Sequence, residues 1–218
     1  MNVLITGSAN GIGLAATLKY LQEGHTVIGL DRRESSVRNE KYTHYICDVA
    51  DKKTLPELPV SDILFINAGT QNEEDIRNNL IGAINVAEKY AFVDGVRSVL
   101  FNASASAITG SEFPEYVASK AGVVGYMKNL ALRLAPKGVT VNALCLGGVT
   151  TDLNKPVMED EALWQKIMDV TPLKKWMTPE EVAEWVYFLT IVNRSMTGES
   201  LLIDNGEARL NQIFYWKN

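Results

Sequence analysis

Tyr116 and Lys120 stand four residues apart in Tyr116-Val117-Ala118-Ser119-Lys120, and Ser104 lies twelve residues before the tyrosine. Four residues is about one helical turn, so on a helix both side chains leave the same face. A phenol beside an ammonium is suited to acid–base chemistry near neutral pH. Free tyrosine titrates near ~10, and bringing it to roughly 7 takes about 4 kcal/mol of phenolate stabilisation. A close lysine charge in a dry pocket, helped by a second positive group, could supply it. The same spacing also arises where a surface tyrosine merely lies on a lysine stem, so its meaning depends on what surrounds it.

The surroundings begin at the other end of the chain, with Thr6-Gly7-Ser8-Ala9-Asn10-Gly11-Ile12-Gly13 directly after the apolar run Val3-Leu4-Ile5. A strand, a tight glycine turn and an apolar helix make the first half of a dinucleotide-binding βαβ unit. Glycines let the backbone approach a pyrophosphate, whose charge then rests on the following helix N-terminus. Asn10 and Ile12 lie inside that turn and count with Gly7, Gly11 and Gly13 as cofactor-binding candidates. Asp31 closes the next apolar run, Thr26-Val27-Ile28-Gly29-Leu30, close to the spacing of a carboxylate that binds the adenosine ribose.

With both ends in view, the chain resembles the short-chain dehydrogenases/reductases, in the branch with a TGxxxGxG turn and a YxxxK pair. Asp48-Val49 fits the pair that meets adenine, and Asn67-Ala68-Gly69 fits the motif after the fourth strand. Asn79 in Asn79-Leu80-Ile81-Gly82 fits the helix asparagine of a catalytic tetrad completed by Ser104, Tyr116 and Lys120. Pro172-Leu173-Lys174-Lys175-Trp176, Thr197-Gly198-Glu199 and Asp204-Asn205-Gly206 resemble the closing segments. Ser106 and Ser111 compete for the serine position. Ser104 is preferred because Gly110 then falls six residues later, and the other two suit ordinary turn chemistry.

The resemblance implies hydride transfer between a nicotinamide and a carbonyl or alcohol carbon, with the oxidised nicotinamide ring as the second positive group beside Tyr116. It implies that Tyr116 is general acid in reduction and base in oxidation, and that Ser104 hydrogen-bonds the substrate oxygen. Lys120 would bind the nicotinamide ribose and lower the tyrosine pKa. Asn79 would hold a water linking the lysine to bulk, Thr151 with Val149 would grip the carboxamide, and Gly147 would also bind cofactor.

Asp31 favours NAD over NADP, because a carboxylate repels a 2′-phosphate. Arg32 and Arg33 follow at once and leave NADP open. For substrate, the resemblance makes 151–171 the lid, and that segment offers Leu153, Val157, Met158, Leu163, Trp164 and Met168 with no basic cluster. That suits a small apolar or neutral alcohol or ketone, with Ser106, Met158 and Trp164 as contacts. Leu163, Ile167 and Val170 also fit plain helix core.

Departures from the family pattern are specific. Leu146-Gly147-Gly148 replaces the usual Pro-Gly, which should loosen that turn; nine residues separate Gly69 from Asn79, fewer than usual; and the segment after Asp31 is abbreviated. A catalytically weak nucleotide-binding sensor or scaffold is the alternative from another class, and retention of Tyr116, Lys120, Ser104 and Asn79 speaks against it. An epimerase or dehydratase of the extended branch is disfavoured by the glycine spacing and the short C-terminal part.

Of 218 residues, 46% are hydrophobic and 22% charged, with a net charge of −5. This suits one α/β domain over 1–218 and argues against nucleic acid or an anionic membrane as partner. Cys47 and Cys145 sit in apolar runs and read as buried thiols of a reducing compartment; with no leader or membrane-length stretch, the expectation is cytoplasmic. No metal-ligand pattern occurs. Seven apolar runs, near Val3–Thr6, Thr26–Leu30, His44–Cys47, Ile63–Asn67, Ser98–Ala103, Thr140–Leu144 and Ser200–Ile203, predict a Rossmann-type, doubly wound, mostly parallel sheet. Helices are expected at Gly13–Glu23, Asp75–Phe92, Tyr116–Ala135, Glu161–Val170 and Pro179–Val192. The resemblance adds a homodimer or homotetramer, and the apolar tail (207–218, with Ile213, Phe214, Tyr215 and Trp216) is expected to pack at a subunit interface.

Overall fold

The computed structural model describes residues 1–71 and 74–210. In chain order the elements are β1 (Asn2–Thr6), α1 (Gly11–Gln22), β2 (Thr26–Asp31), β3 (Tyr42–Ile46), β4 (Ile63–Ile66), a π-turn (Ile76–Ile81) continuing into α2 (Gly82–Tyr90), β5 (Ser98–Ser104), α3 (Ser106–Thr109), α4 (Pro114–Leu134), β6 (Thr140–Leu146), α5 (Lys155–Met158), α6 (Glu161–Val170), α7 (Pro179–Tyr187) with a second π-turn (Phe188–Val192), and β7 (Ser200–Ile203). The aromatic tail expected at an interface falls on 211–218, outside the described residues.

All seven strands pair in parallel, in the order β3-β2-β1-β4-β5-β6-β7. Val3 lies between Val27 and Ile63, and Leu4 between Ile28 and Leu64. Strands buried on both faces need apolar side chains at every position, which is why these segments read as continuous runs. One core lies where α2 and α4 cover the sheet, around Leu64, Phe101, Met127 and Leu130; the other lies under α1 and α7, around Ile5, Tyr20, Phe65 and Val186. Phe65 is fully buried in the central β4, and truncating it to alanine would cost about 3–5 kcal/mol.

Strand order reverses between β1 and β4, and the crevice beyond the strand C-termini at that point is where open α/β sheets bind ligands. Three connections shape it. The β2–β3 link contains no helix, in keeping with the abbreviated segment after Asp31. The helix expected over Asp75–Phe92 instead opens with the π-turn, a distortion that recurs at functional sites. α4 starts at Pro114, where proline at the first helical turn loses no hydrogen bond. Thr178 and Glu181 close the expected capping box on α7, with Glu181 N donating to Thr178 Oγ1 at 3.2 Å and Thr178 N to Glu181 Oε2 at 2.9 Å.

Candidate active site

A cleft of about 980 Å³ opens at the C-terminal ends of the strands. β5 delivers Ser104 to its wall, and α4 delivers Tyr116 and Lys120 from successive turns. The Lys120 Nζ is 5.6 Å from the Tyr116 ring centroid and donates to the Asn102 carbonyl at 3.0 Å. Burial pushes the Tyr116 phenol up to about 12; the Ser104 hydroxyl opposes this, and Glu112 and Asp75 add to it. Burial pushes Lys120 down to about 8, against the pull of Asp75 and Cys145. In the chain alone Tyr116 therefore holds its proton at pH 7 while Lys120 is mostly charged. The tyrosine is poised as an acid, and a drop toward 7 requires positive charge beyond Lys120.

Asn79 is held by its own side-chain hydrogen bonds. It lies in the π-turn, 2% exposed, and is not part of the cleft wall. Its Nδ2 donates to the Thr70 carbonyl at 3.0 Å and to Ser119 Oγ at 3.1 Å, and its Oδ1 accepts from Thr70 N at 2.7 Å. Both amide hydrogens are spent, so the side chain anchors Thr70 rather than donating to a relay water. Ser119 Oγ in turn donates to the Tyr116 carbonyl at 2.7 Å, which ties this anchor to the turn of α4 that carries Tyr116. Thr70 Oγ1 donates to Asp75, a carboxylate with no solvent exposure, at 2.9 Å.

At the other end of the cleft, Gly7, Asn10, Gly11 and Ile12 form the wall and Gly13 lies behind them. A Cβ at Gly13 would overlap the Gly7 carbonyl oxygen, and Gly7 itself has φ +69°. The two glycines let the turn fold onto the start of α1, leaving first-turn amides without intrahelical acceptors. Asn67 locks the turn from β4: its N and that of Ala68 donate to Thr6 Oγ1, both at 2.9 Å, and its Nδ2 donates to the Thr6 carbonyl at 3.0 Å. Asn102 Nδ2 donates to Asn67 Oδ1 at 2.9 Å, so one residue joins the glycine turn to Lys120. Asn102 belongs to none of the motifs. A polar side chain inside a central-strand apolar run was the available signal, since buried amides need partners.

Asp31 ends β2 with 9% exposure, accepting from Ala9 N at 3.0 Å and Arg33 N at 2.9 Å. These bonds aim the carboxylate and leave lone pairs for a diol. Arg32 and Arg33 also line the cleft. Asp48 pairs with Arg77 at 2.8 Å and accepts from Ala50 N at 2.9 Å; Val49, Ala68 and Gly69 complete this side of the wall. Val149 and Thr151 lie beside Gly147, whose N donates to the Ile203 carbonyl at 2.9 Å. The Gly147-Gly148 turn is not loose. A Cβ at Gly148 would overlap the Trp176 indole, so the ring packs directly on the backbone there. A glycine cradle, an aimed carboxylate at a strand end and an exposed helix start fit a dinucleotide.

At the substrate end the structure corrects the expected contacts. Ser106 lines the cleft, but Met158 and Trp164 do not; Val157, Leu163, Ile167 and Trp176 take their place. Leu163 and Ile167 share a face of α6 by their i, i+4 spacing, whereas Trp164 turns aside to meet Trp176 edge-on at 5.0 Å. Leu163 and Ile167 therefore form cleft wall instead of the closed core their spacing also allowed. Glu112, from the loop before α4, and Glu207, after β7, also reach the wall, and nothing in their local sequence marks them.

Among the described residues no group of three metal-ligating side chains occurs, and no helix is long and apolar enough to cross a membrane. Residues 7–207 match the family model described as Enoyl-(Acyl carrier protein) reductase. The chain is 32% identical to the 3-oxoacyl-[acyl-carrier-protein] reductase FabG of Thermotoga maritima, over 93% of this chain and 96% of that one. Among solved structures it is similar to the ligand-free aldohexose dehydrogenase of Thermoplasma acidophilum, with TM-score 0.87, 26% identity and coverage of 99% and 97%. A short chain dehydrogenase family protein from Francisella tularensis superposes with TM-score 0.84 at 28% identity, covering 94% of this chain and 98% of that one.

Proposed function

The chain belongs to the short-chain dehydrogenase/reductase family, and from that premise we propose that it moves hydride between NAD(H) and a small alcohol or ketone, with Tyr116 passing the proton. As a member it is a nicotinamide-dependent oxidoreductase of CH–OH and C=O groups. The observation that carries the finer reading is that Tyr116, Ser104 and Lys120 open onto the same cleft as the glycine turn and Asp31.

Each residue then has a physical task. Tyr116, neutral at pH 7, donates to a carbonyl oxygen as negative charge develops there and recovers a proton in the reverse direction. Ser104 donates to the same oxygen, its orientation helped by the Ser106 amide, which donates to its Oγ at 3.2 Å. Lys120 supplies positive charge under the phenol and donors toward a ribose. Asn79 positions Thr70 and Ser119 and thereby the turn that carries Tyr116. The cofactor, when bound, supplies or accepts the hydride. Asp31 favours NAD because a 2′-phosphate would place two anions together in a partly buried site. Arg32 and Arg33 are the features that would suit NADP.

Carrier-bound 3-oxoacyl reduction is a second reading, favoured by the relative from Thermotoga maritima. The aldohexose dehydrogenase of Thermoplasma acidophilum favours a free aldohexose instead. The proposal includes one domain over 1–218, a cytoplasmic location and a homodimer or homotetramer. Leu132, 77% exposed on α4, supports pairing through that helix.

The test is a fluorescence titration with NADH and NADPH, followed by turnover of Tyr116→Phe. Tighter NADH binding and a rate loss of roughly 10²–10⁴-fold with binding intact are expected. Parent-rate turnover by the variant would overturn the role of Tyr116.

A further inference from the structure

The substrate end of the cleft carries negative charge that hydride transfer does not require. Glu112 and Glu207 reach it from opposite ends of the second half of the chain. Gln71 Nε2 donates to Glu112 Oε2, and Thr171 Oγ1, which donates to the Ile167 carbonyl at 2.8 Å, shares that hydrogen weakly with Glu207 Oε2 at 3.4 Å. Both side chains are exposed at the mouth of the cleft, where partial desolvation holds their carboxyls above the ordinary range, opposed by those two donors. Asp204 and Glu112 raise Glu207 further, and Glu112 also raises Tyr116. The two carboxyls and the phenol therefore share one electrostatic neighbourhood. Among the described residues of the wall, the cations are Arg32 and Arg33 at the nucleotide end and Lys120 beside the tyrosine. None stands at the substrate end.

A second, independent observation points to a ligand. Ser106 is 3% exposed on the same wall, and its Oγ has no hydrogen-bond partner within the protein. Its amide donates to Ser104, which places it beside the catalytic hydroxyl. The Trp176 Nε1 is likewise buried and unpartnered. Buried polar atoms without partners are uncommon and call for an acceptor or donor from elsewhere.

Taking the cleft as a hydride-transfer site, we infer that its substrate end selects an alcohol or ketone bearing neighbouring hydroxyls and excludes anionic substrates. Carboxylates accept hydrogen bonds and cannot donate them, so Glu112 and Glu207 reward substrate O–H groups. Ser106 can give or accept one more, and the Trp176 indole can donate to a substrate oxygen. An anionic group carried beyond the reacting carbon, away from Lys120, meets two like charges with no cation at that end of the wall, which is discrimination by repulsion. A phosphate-bearing thioester arm would meet the same penalty wherever its charge entered this end.

The experiment compares reduction of dihydroxyacetone, 2-butanone and acetoacetate with NADH and NADPH. The wild-type chain, the double variant Glu112→Gln/Glu207→Gln and Ser106→Ala are used, with thermal melts to verify folding. Wild type should prefer dihydroxyacetone to acetoacetate by roughly tenfold or more in kcat/KM. The double variant should cut that preference at least about threefold, mainly through a lower KM for acetoacetate. Ser106→Ala should weaken dihydroxyacetone relative to 2-butanone. Equal or reversed preference in wild type, or a preference unchanged in a folded double variant, overturns the inference. Tyr116-dependent turnover without charge discrimination sinks this inference alone. Nucleotide binding with no turnover of any of the three ketones sinks it together with the hydride-transfer reading.

Discussion

The two ends of the cleft are built by different means. At the nucleotide end, the fixing groups are main-chain atoms and short amides from neighbouring strands: Gly7 and Gly13 in the turn, Asn67 on Thr6, and Asp31 held by two backbone amides. At the substrate end, the wall is assembled from side chains supplied by α6, Trp176 and the loops bearing Glu112 and Glu207. The first construction tolerates almost no substitution because it depends on backbone approach. The second can be re-lined residue by residue, as fits one fold serving many substrates.

Breaking the nucleotide end should have the largest effect. Gly13→Ala forces a Cβ into the Gly7 carbonyl, with an expected stability loss of ~1–3 kcal/mol and nucleotide affinity down by roughly 100-fold. Thermal melts with and without NADH check this; a variant that melts and binds like the parent would remove the contrast between the two ends. Asp31→Ala comes next. Losing a charged acceptor of ribose hydroxyls should weaken NADH by about 10–100-fold and NADPH less. Unchanged NADH affinity would take the ribose away from Asp31.

A smaller effect is expected where the two ends meet. Asp75 holds Lys120 up against burial, so Asp75→Asn should lower the lysine below its present value of about 8. Near pH 8 more of the lysine is then neutral, and turnover should fall by roughly three- to tenfold, with little change near pH 6. The pH–rate limb that needs a charged lysine should move toward lower pH. An unmoved limb in a folded variant would show that Asp75 serves structure alone.

What could be read from the sequence follows the same division. The central strands were legible because a sheet covered on both faces writes itself as apolar runs, while the half-buried edge strands β3 and β7 left weaker ones. The glycine turn and Asp31 were legible because backbone approach leaves a residue type at a fixed spacing. The π-turn was not, since it is set where Asn79 anchors to Thr70 across a loop. α6 was ambiguous because Leu163, Trp164 and Ile167 are all apolar, and only tertiary packing decides which pair faces the cleft. The Gly147-Gly148 turn looked loose because its support, Trp176, comes from a distant segment.

That support has an evolutionary consequence. Positions 148 and 176 are a coupled pair: with tryptophan in place, any side chain at 148 collides with the indole, so 148 is held at glycine. The dependence is one-sided. A smaller residue at 176 would free position 148 to vary, so the route to a reshaped wall runs through Trp176 first, by way of an intermediate with an enlarged cleft.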